Sequence, residues 1–272
     1  MIQTHAGDLR ALEQRFRNRD PTYPLERDRL LKLDPKLAPW LAKVMVWYAV
    51  GDNDKLTQHG LAAEQLEGVK GTEQRTLFLA RDELKRLGGA GRAAIRYYLV
   101  RDRRTQLRDL GCWLLRVHDP DEVIAMADDE LHKGPASSKR AVLRLLGYFG
   151  RHDSAKRLLD EFARSEDWQL RGTAVRALAR RVPRAEVDQR QAFLWDVFEH
   201  DSDAWVRQEA LRALGDLGDV TQVRRLVTTL EGLLKADRPR EARAVGAALK
   251  ALTGHGYGTK VSRWRTWLGT RR

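Results

Sequence analysis

One basic residue recurs at the same place in four copies of a short apolar motif. The copies are VLRLL at 142–146, AVRAL at 174–178, ALRAL at 210–214 and ALKAL at 248–252, and the basic positions are Arg144, Arg176, Arg212 and Lys250. Arginine binds carboxylate and phosphate groups through a planar fork of donors. This row, called the basic ladder below, therefore predicts a surface for an anionic partner. The alternative is that an exposed helix position takes Arg or Lys simply as a good helix former.

Further positive charge surrounds the basic ladder. The flanking basic residues are Arg108, Lys139, Arg140 and Arg180. The chain has a net charge of +12, and 38 of its 50 basic residues are arginine. Such a balance favours nucleic acid, an anionic membrane surface or an acidic protein as partner. A genome whose base composition favours arginine codons would give the same excess of basic residues without any function.

Spacings typical of catalytic or metal sites are missing from the sequence. The glycines stand at helix ends rather than in a phosphate-binding loop, and the 7 histidines are scattered. We therefore predict no catalytic residues, no metal site and no cofactor. The single cysteine, Cys112, lies in an apolar stretch and is predicted to be a small buried hydrophobe.

Targeting signals are not evident either. No apolar run approaches the length of a membrane span, and the first residues lack the apolar core of a signal peptide. The expected location is cytoplasmic. The sequence leaves the oligomeric state open.

Helices must position the basic ladder. The apolar residues around each of its four basic residues, called rungs below, recur with a period near 3.6 residues. In 203–217, Val206, Ala210 and Leu214 share one face and Arg212 lies nearly opposite. The rungs are 32, 36 and 38 residues apart, and self-similarity at such a period is typical of stacked helical pairs. The predicted pairs are 54–68 with 72–87, 91–101 with 104–117, 120–132 with 136–149, 153–164 with 168–181, 184–199 with 203–217, and 220–234 with 239–253.

Both ends of this array are predicted to be capped. Residues 1–53 form a separate N-terminal helical cap that contains the apolar helix after Asp34-Pro35, and 54–272 form the repeat solenoid. A closing helix at 260–268 places Trp264 and Trp267 on one face, where they can cover the apolar edge of the last repeat.

The turn and the start of the second helix carry a family resemblance. Asp201, Asp203, Val206 and Arg207 resemble the pattern of HEAT repeats, in which an acidic turn precedes Val-Arg at the start of the second helix; Asp167, Leu170 and Arg171 follow it less fully. The resemblance is specific over about 137–268, weaker over 54–117 and missing from the first 50 residues. It implies an all-α, right-handed solenoid of about six helical pairs, of the kind found in bacterial HEAT-repeat proteins. It also implies that Asp201, Arg207 and Arg171 form a structural ladder between successive repeats.

The resemblance predicts the fold of the chain better than it predicts the function. It favours a non-enzymatic binding or scaffold protein whose basic concave surface takes an acidic protein partner. The alternative is a nucleic-acid-binding protein using the same surface, with a HEAT-like DNA glycosylase as its enzymatic form. Asp203 beside Trp205 is the nearest candidate for the acidic residue of such an enzyme, although a helix N-cap role would suffice for it. Trp168 and Trp205 are expected to pack between repeats rather than stack on bases.

Overall fold

The computed structural model describes residues 6–51 and 72–270, and in these two ranges the regular structure is helical, with no strand. The chain divides into two compact units, Met1–Asp119 and Pro120–Arg272. The predicted domain boundary after residue 53 and the predicted helix 54–68 both lie outside the described residues. The division into a cap over 1–53 and a solenoid over 54–272 therefore stays a prediction.

The first unit begins with the helices that precede the gap and continues with those that follow it. They are α1 (Ala6–Arg17), α2 (Tyr23–Leu33), α3 (Ala38–Gly51), α4 (Thr72–Arg86), α5 (Gly88–Ile95) and α6 (Thr105–Leu115). A short π-helix, Arg96–Val100, follows α5 directly. The Asp34 carboxylate accepts the backbone N–H of Lys36 at 3.0 Å, as expected for a cap before proline. In the apolar helix α3, Leu41 and Met45 are buried, whereas Trp47 is 56% exposed.

A buried ion pair that the sequence pattern did not predict joins α2 to α4. Arg27 Nη1 donates to Glu83 Oε2 at 2.5 Å, and both side chains are almost fully buried. Tyr23 donates its hydroxyl to the same carboxylate at 3.3 Å. Burial and the neighbouring Glu83 charge raise the pKa of Tyr23. The phenol therefore stays neutral and fixes the Glu83 side chain.

The second unit consists of four helical pairs and a closing helix. The pairs are α7 (Pro120–Lys133) with α8 (Ala136–Leu146), α9 (Asp153–Phe162) with α10 (Trp168–Ala177), α11 (Val187–His200) with α12 (Ala204–Asp216), and α13 (Val223–Lys235) with α14 (Pro239–Thr253), followed by α15 (Val261–Gly269). Each first helix packs on its second helix, and the second helices α8, α10, α12 and α14 pack on one another in chain order. This single-file stacking of pairs is the arrangement of an α-solenoid.

The second helices are buried on most of their surface because each lies between two others. In α12, Leu211 and Ala213 are fully buried although they lie on nearly opposite faces of the helix. The first helices are more one-sided, with a buried stripe such as Leu226 and Leu230 in α13. What remains exposed on the second helices is therefore a narrow strip, and the basic ladder occupies it.

Aromatic side chains lie where the closing helix α15 meets the last pair. Trp264 is fully buried, and its indole N–H donates to the carbonyl of Gly258 at 2.8 Å. Its ring meets Tyr257 edge-on at 4.8 Å, and α15 packs on α13. The exposed apolar edge of the last pair is thus capped by aromatic side chains.

Candidate binding surface

The four rungs of the basic ladder lie on four successive second helices, α8, α10, α12 and α14. Lys250 is exposed, whereas Arg144, Arg176 and Arg212 are half-buried. The side chains of Arg176 and Arg212 keep 37% and 33% of their surface exposed. Arg144, Arg176 and Arg212 each stand between buried neighbours, as Arg212 does between Leu211 and Ala213. The rungs therefore present positive charge to solvent from each of these helices.

Two of the rungs share one carboxylate. Arg176 Nη1 donates to Glu209 Oε2 at 3.1 Å, and Arg212 Nη1 makes a short contact with Glu209 Oε1. Arg176 Nε also donates to Asp216 at 3.1 Å. Burial alone would lower the pKa of Arg176, but Asp216 and Glu209 outweigh it and hold that pKa above its usual value. The ladder is thus a chain of alternating charges at this point, with Glu209 almost completely buried.

The flanking basic residues of the second unit lie near the ladder in different settings. Arg140 Nη1 donates to Gln169 Oε1 at 2.8 Å, which links α8 to α10. The guanidinium of Arg180 lies over the ring of Tyr148 at 5.0 Å. Lys139 is half-buried on α8, five residues before Arg144. Arg171 and Arg207 stand at the same distance before Arg176 and Arg212, so Lys139 occupies their helix position.

Arg108 does not belong with the flanking residues, and its assignment to the basic surface is wrong. Its side chain is 7% exposed and lies in the first unit. Nη1 donates to the carbonyls of Asp102 and Arg103 at 2.8 and 2.7 Å, and Nη2 donates to Thr105 Oγ1 at 2.9 Å. The guanidinium holds the turn before its own helix and offers little surface to a partner. Asp102, six residues before Arg108 as Asp201 is before Arg207, was the signal for this role.

Arg171 and Arg207 of the predicted structural ladder each hold their own turn and reach the following pair. Arg171 donates through Nε and Nη2 to the Asp201 carboxylate at 2.7 and 3.1 Å, and through Nη1 to the carbonyl of Ser165 at 2.6 Å. Arg207 repeats this geometry with Glu241 at 2.8 Å and the carbonyl of Asp201 at 2.8 Å. The hydrogen bond that Arg171 donates to the Asp201 carboxylate raises the pKa of Arg171. Burial opposes ionisation of Glu241, but its hydrogen-bonded arginines lower its pKa nonetheless.

A cavity of about 300 Å³ opens beside the basic ladder between α8, α10 and α12. Its wall includes Arg144, Thr173, Arg176, Arg180, Trp205 and Glu209. Trp205 is half-buried and meets the exposed ring of Trp168 edge-on at 5.4 Å. The two tryptophans therefore pack between successive repeats, and only Trp205 lines the cavity.

The acidic candidate for base-excision chemistry has a structural task. One oxygen of Asp203 accepts the backbone N–H groups of Trp205 and Val206 at 2.8 and 3.1 Å. Asp167 caps α10 in the same way, through Gln169 and Leu170. The same residue type thus performs the same N-cap role at successive second helices.

Two further tryptophans and the single cysteine lie in the core. Trp113 and Trp195 are at most 3% exposed, and Trp195 donates its indole N–H to Gln222 Oε1 at 3.0 Å. Cys112 is a free, buried thiol. In the described ranges no group of three or more His, Cys, Asp or Glu side chains is arranged to hold a metal ion. Among the helices that the structure describes, none is both long and apolar enough to span a bilayer.

Comparison with known families agrees with this architecture. The family model for HEAT repeats matches residues 129–215 and 155–252. Searches of curated proteins and of solved structures gave no match. The geometry defines an α-solenoid repeat protein. The match to HEAT repeats covers residues 129–252, and repeats of that family are scaffolds for interactions with other proteins.

Proposed function

We propose that this is a non-enzymatic binding or scaffold protein whose basic ladder takes an acidic protein partner. The observation that carries the proposal is the alternation of charge along the ladder. Arg176 and Arg212 share Glu209, and Arg176 also binds Asp216. A protein partner presents separate carboxylates at chosen points, and such a patterned surface discriminates between partners through both attraction and repulsion.

The same alternation disfavours nucleic acid. A phosphate backbone carries closely spaced negative charge, and binding it gains from cations that are free to neutralise phosphates. Glu209 and Asp216 pair with two of the four rungs, so the row of positive charge is interrupted where a phosphate backbone would need it to continue. The protein-partner proposal therefore fits the described contacts better. A cytoplasmic location is part of the proposal.

The simplest test uses Lys250, the exposed rung on α14. Polyglutamate labelled with fluorescein serves as the acidic probe, and Lys250→Glu should weaken its binding about fivefold or more at low salt. The matched control is Arg224→Glu, because Arg224 is exposed on the first helix α13, away from the ladder. An equal loss in both variants would mean that only net charge matters, and the proposal would then be wrong.

Nucleic acid is tested directly on the unmodified protein. Random-sequence DNA and RNA near physiological salt should bind with dissociation constants of about 10⁻⁶ to 10⁻⁴ M, the range of non-specific contacts. Nanomolar binding, with a slope of roughly −3 to −4 in log affinity against log salt, would indicate about four neutralised phosphates. That outcome would replace the scaffold proposal by the nucleic-acid alternative.

A further inference from the structure

The cavity beside the basic ladder combines positive charge with an aromatic wall. Three guanidinium groups, from Arg144, Arg176 and Arg180, line it together with the single carboxylate of Glu209. Three successive second helices contribute these side chains, so the site exists only in the stacked array. Its volume of about 300 Å³ is at the lower end of the range for ligand pockets and is ample for one side chain.

Two of the three guanidinium groups have fixed orientations. Arg176 is held by Glu209 on one side and by Asp216 on the other, both at 3.1 Å. Arg180 lies over the ring of Tyr148 at 5.0 Å. Donors whose rotamers are already restricted lose less entropy on binding than mobile ones do. The cavity is therefore preorganised for an anionic group.

Trp205 gives the cavity an aromatic wall, and an inorganic anion has no apolar part that could contact it. Its ring rests against the α10 backbone at Gly172 and against the ring of Trp168, so its position is set by packing. An indole face favours contact with an aliphatic stem, while the guanidinium groups favour the charge at its end. A glutamate or aspartate side chain has both parts.

We propose that this cavity is the anchor site for one acidic side chain of the partner. The carboxylate faces the three guanidinium groups, and the aliphatic stem lies on Trp205. This inference rests on the proposed function, because it names the point of the basic ladder at which an acidic partner is held. Lys250 and Arg212 then supply charge farther along the same surface.

The inference is tested with the full chain and two kinds of measurement. In the first, fluorescein-labelled polyglutamate is titrated and its anisotropy recorded. Arg144→Gln and Arg180→Gln should each weaken binding about tenfold, which corresponds to the loss of one charge-assisted hydrogen bond. Arg224→Gln removes an exposed arginine of α13 and should change affinity by less than about twofold. Circular dichroism checks that each variant keeps its helix content.

In the second measurement the protein carries 5-fluorotryptophan, and its fluorine NMR spectrum is followed during the titration. The Trp205 signal is identified as the one lost in Trp205→Phe. It should shift on addition of polyglutamate, since the ligand touches its ring. The signal of Trp195, which is buried on the first helix α11, should stay in place and serves as the internal reference.

The outcomes separate this inference from the function on which it rests. If Lys250→Glu weakens polyglutamate binding but the Arg144 and Arg180 variants bind as the unmodified chain does, the basic ladder is functional and the anchor site is wrong. A Trp205 signal that stays in place at saturation leads to the same conclusion. If polyglutamate does not bind at all, both the function and the anchor site are wrong.

Discussion

Trp205 of α12 lies against the backbone of α10 at Gly172. A Cβ atom added to Gly172 would come within 2.3 Å of Cζ3 of Trp205 and within 2.7 Å of Cε3. No real side chain tolerates such a contact with a packed ring. The glycine is therefore required by the tryptophan of the next pair, and together they set how closely two successive second helices approach at the cavity.

Gly172→Ala should destabilise the protein although alanine is the better helix former. The added methyl group forces Trp205 out of its place, and overpacking of this kind costs about 1–3 kcal/mol. The matched control is Gly232→Ala in α13, where a Cβ meets nothing within 4 Å. That change should stabilise by about 0.5–1 kcal/mol, the propensity difference alone. Urea denaturation of both variants measures the contrast.

A Gly172→Ala protein as stable as the Gly232→Ala protein would contradict this geometry. The first variant should also displace the fluorine signal of Trp205 in the absence of ligand, because the ring changes its surroundings. This second measurement distinguishes a moved tryptophan from a general loss of stability.

The Gly172–Trp205 contact could not be predicted from the sequence, whereas features that depend on local spacing could. The apolar period identified the helical pairs of the second unit and the buried face containing Leu214, because those depend on local spacing. The need for glycine at 172 could not be predicted, since its cause, Trp205, lies 33 positions away in the next repeat. Likewise, the helical period placed Arg212 opposite the apolar face but could not reveal that Glu209 is buried between two arginines.

Arg108 is a second residue whose role could not be predicted from its charge alone. It was grouped with the basic ladder because of its charge and its place on a second helix. The structure gives it the geometry of Arg171 and Arg207, with Nη1 on two carbonyls of the preceding turn. A charged side chain can point outward or fold back on its own turn, and composition alone does not separate the two. The number of residues between the acidic turn residue and the arginine does separate the two.

Leu214 provides a direct test of the register of α12. It is 1% exposed, and Leu214→Ala should cost roughly 2–5 kcal/mol through lost apolar contacts and the cavity left behind. Leu234, on α13, is 42% exposed, so Leu234→Ala should cost less than about 1 kcal/mol. Chemical denaturation of the two variants provides the comparison. Similar losses from both would show that the helix is rotated from the orientation described.

Arg207 is expected to matter for stability and not for binding. Its Nε bonds Glu241, which is 3% exposed, and its Nη1 holds two carbonyls of the preceding turn. Arg207→Gln should therefore cost about 1–3 kcal/mol, the penalty for leaving a buried charged group less well paired. Polyglutamate affinity per folded molecule should stay within about twofold of the unmodified chain. A stable Arg207→Gln protein that has lost polyglutamate binding would assign Arg207 to the binding surface instead.

His118 should make the stability of the first unit depend on pH. The imidazole is 4% exposed, and neither ring nitrogen has a hydrogen-bond partner among the described residues. Burial, with the nearby charges of Arg92 and Lys85, lowers its pKa from 6.5 to about 4. In the unfolded chain the group takes up a proton near its ordinary pKa, whereas the folded chain resists until about pH 4. Acidification between these values therefore favours unfolding, by roughly 3 kcal/mol over the whole interval.

The His118 effect is separated from other acid-sensitive groups by a difference between variants. Urea midpoints are measured near pH 7.5 and about pH 4.5 for the unmodified chain, for His118→Leu, which cannot titrate, and for His200→Leu, whose histidine side chain is 71% exposed. His118→Leu should lose about 2–3 kcal/mol less stability on acidification than the other two proteins do. Carboxylates common to all three then account for the loss that remains. If His118→Leu loses as much stability as the unmodified chain, the imidazole is protonated in the folded state, and its burial without partners is incorrect.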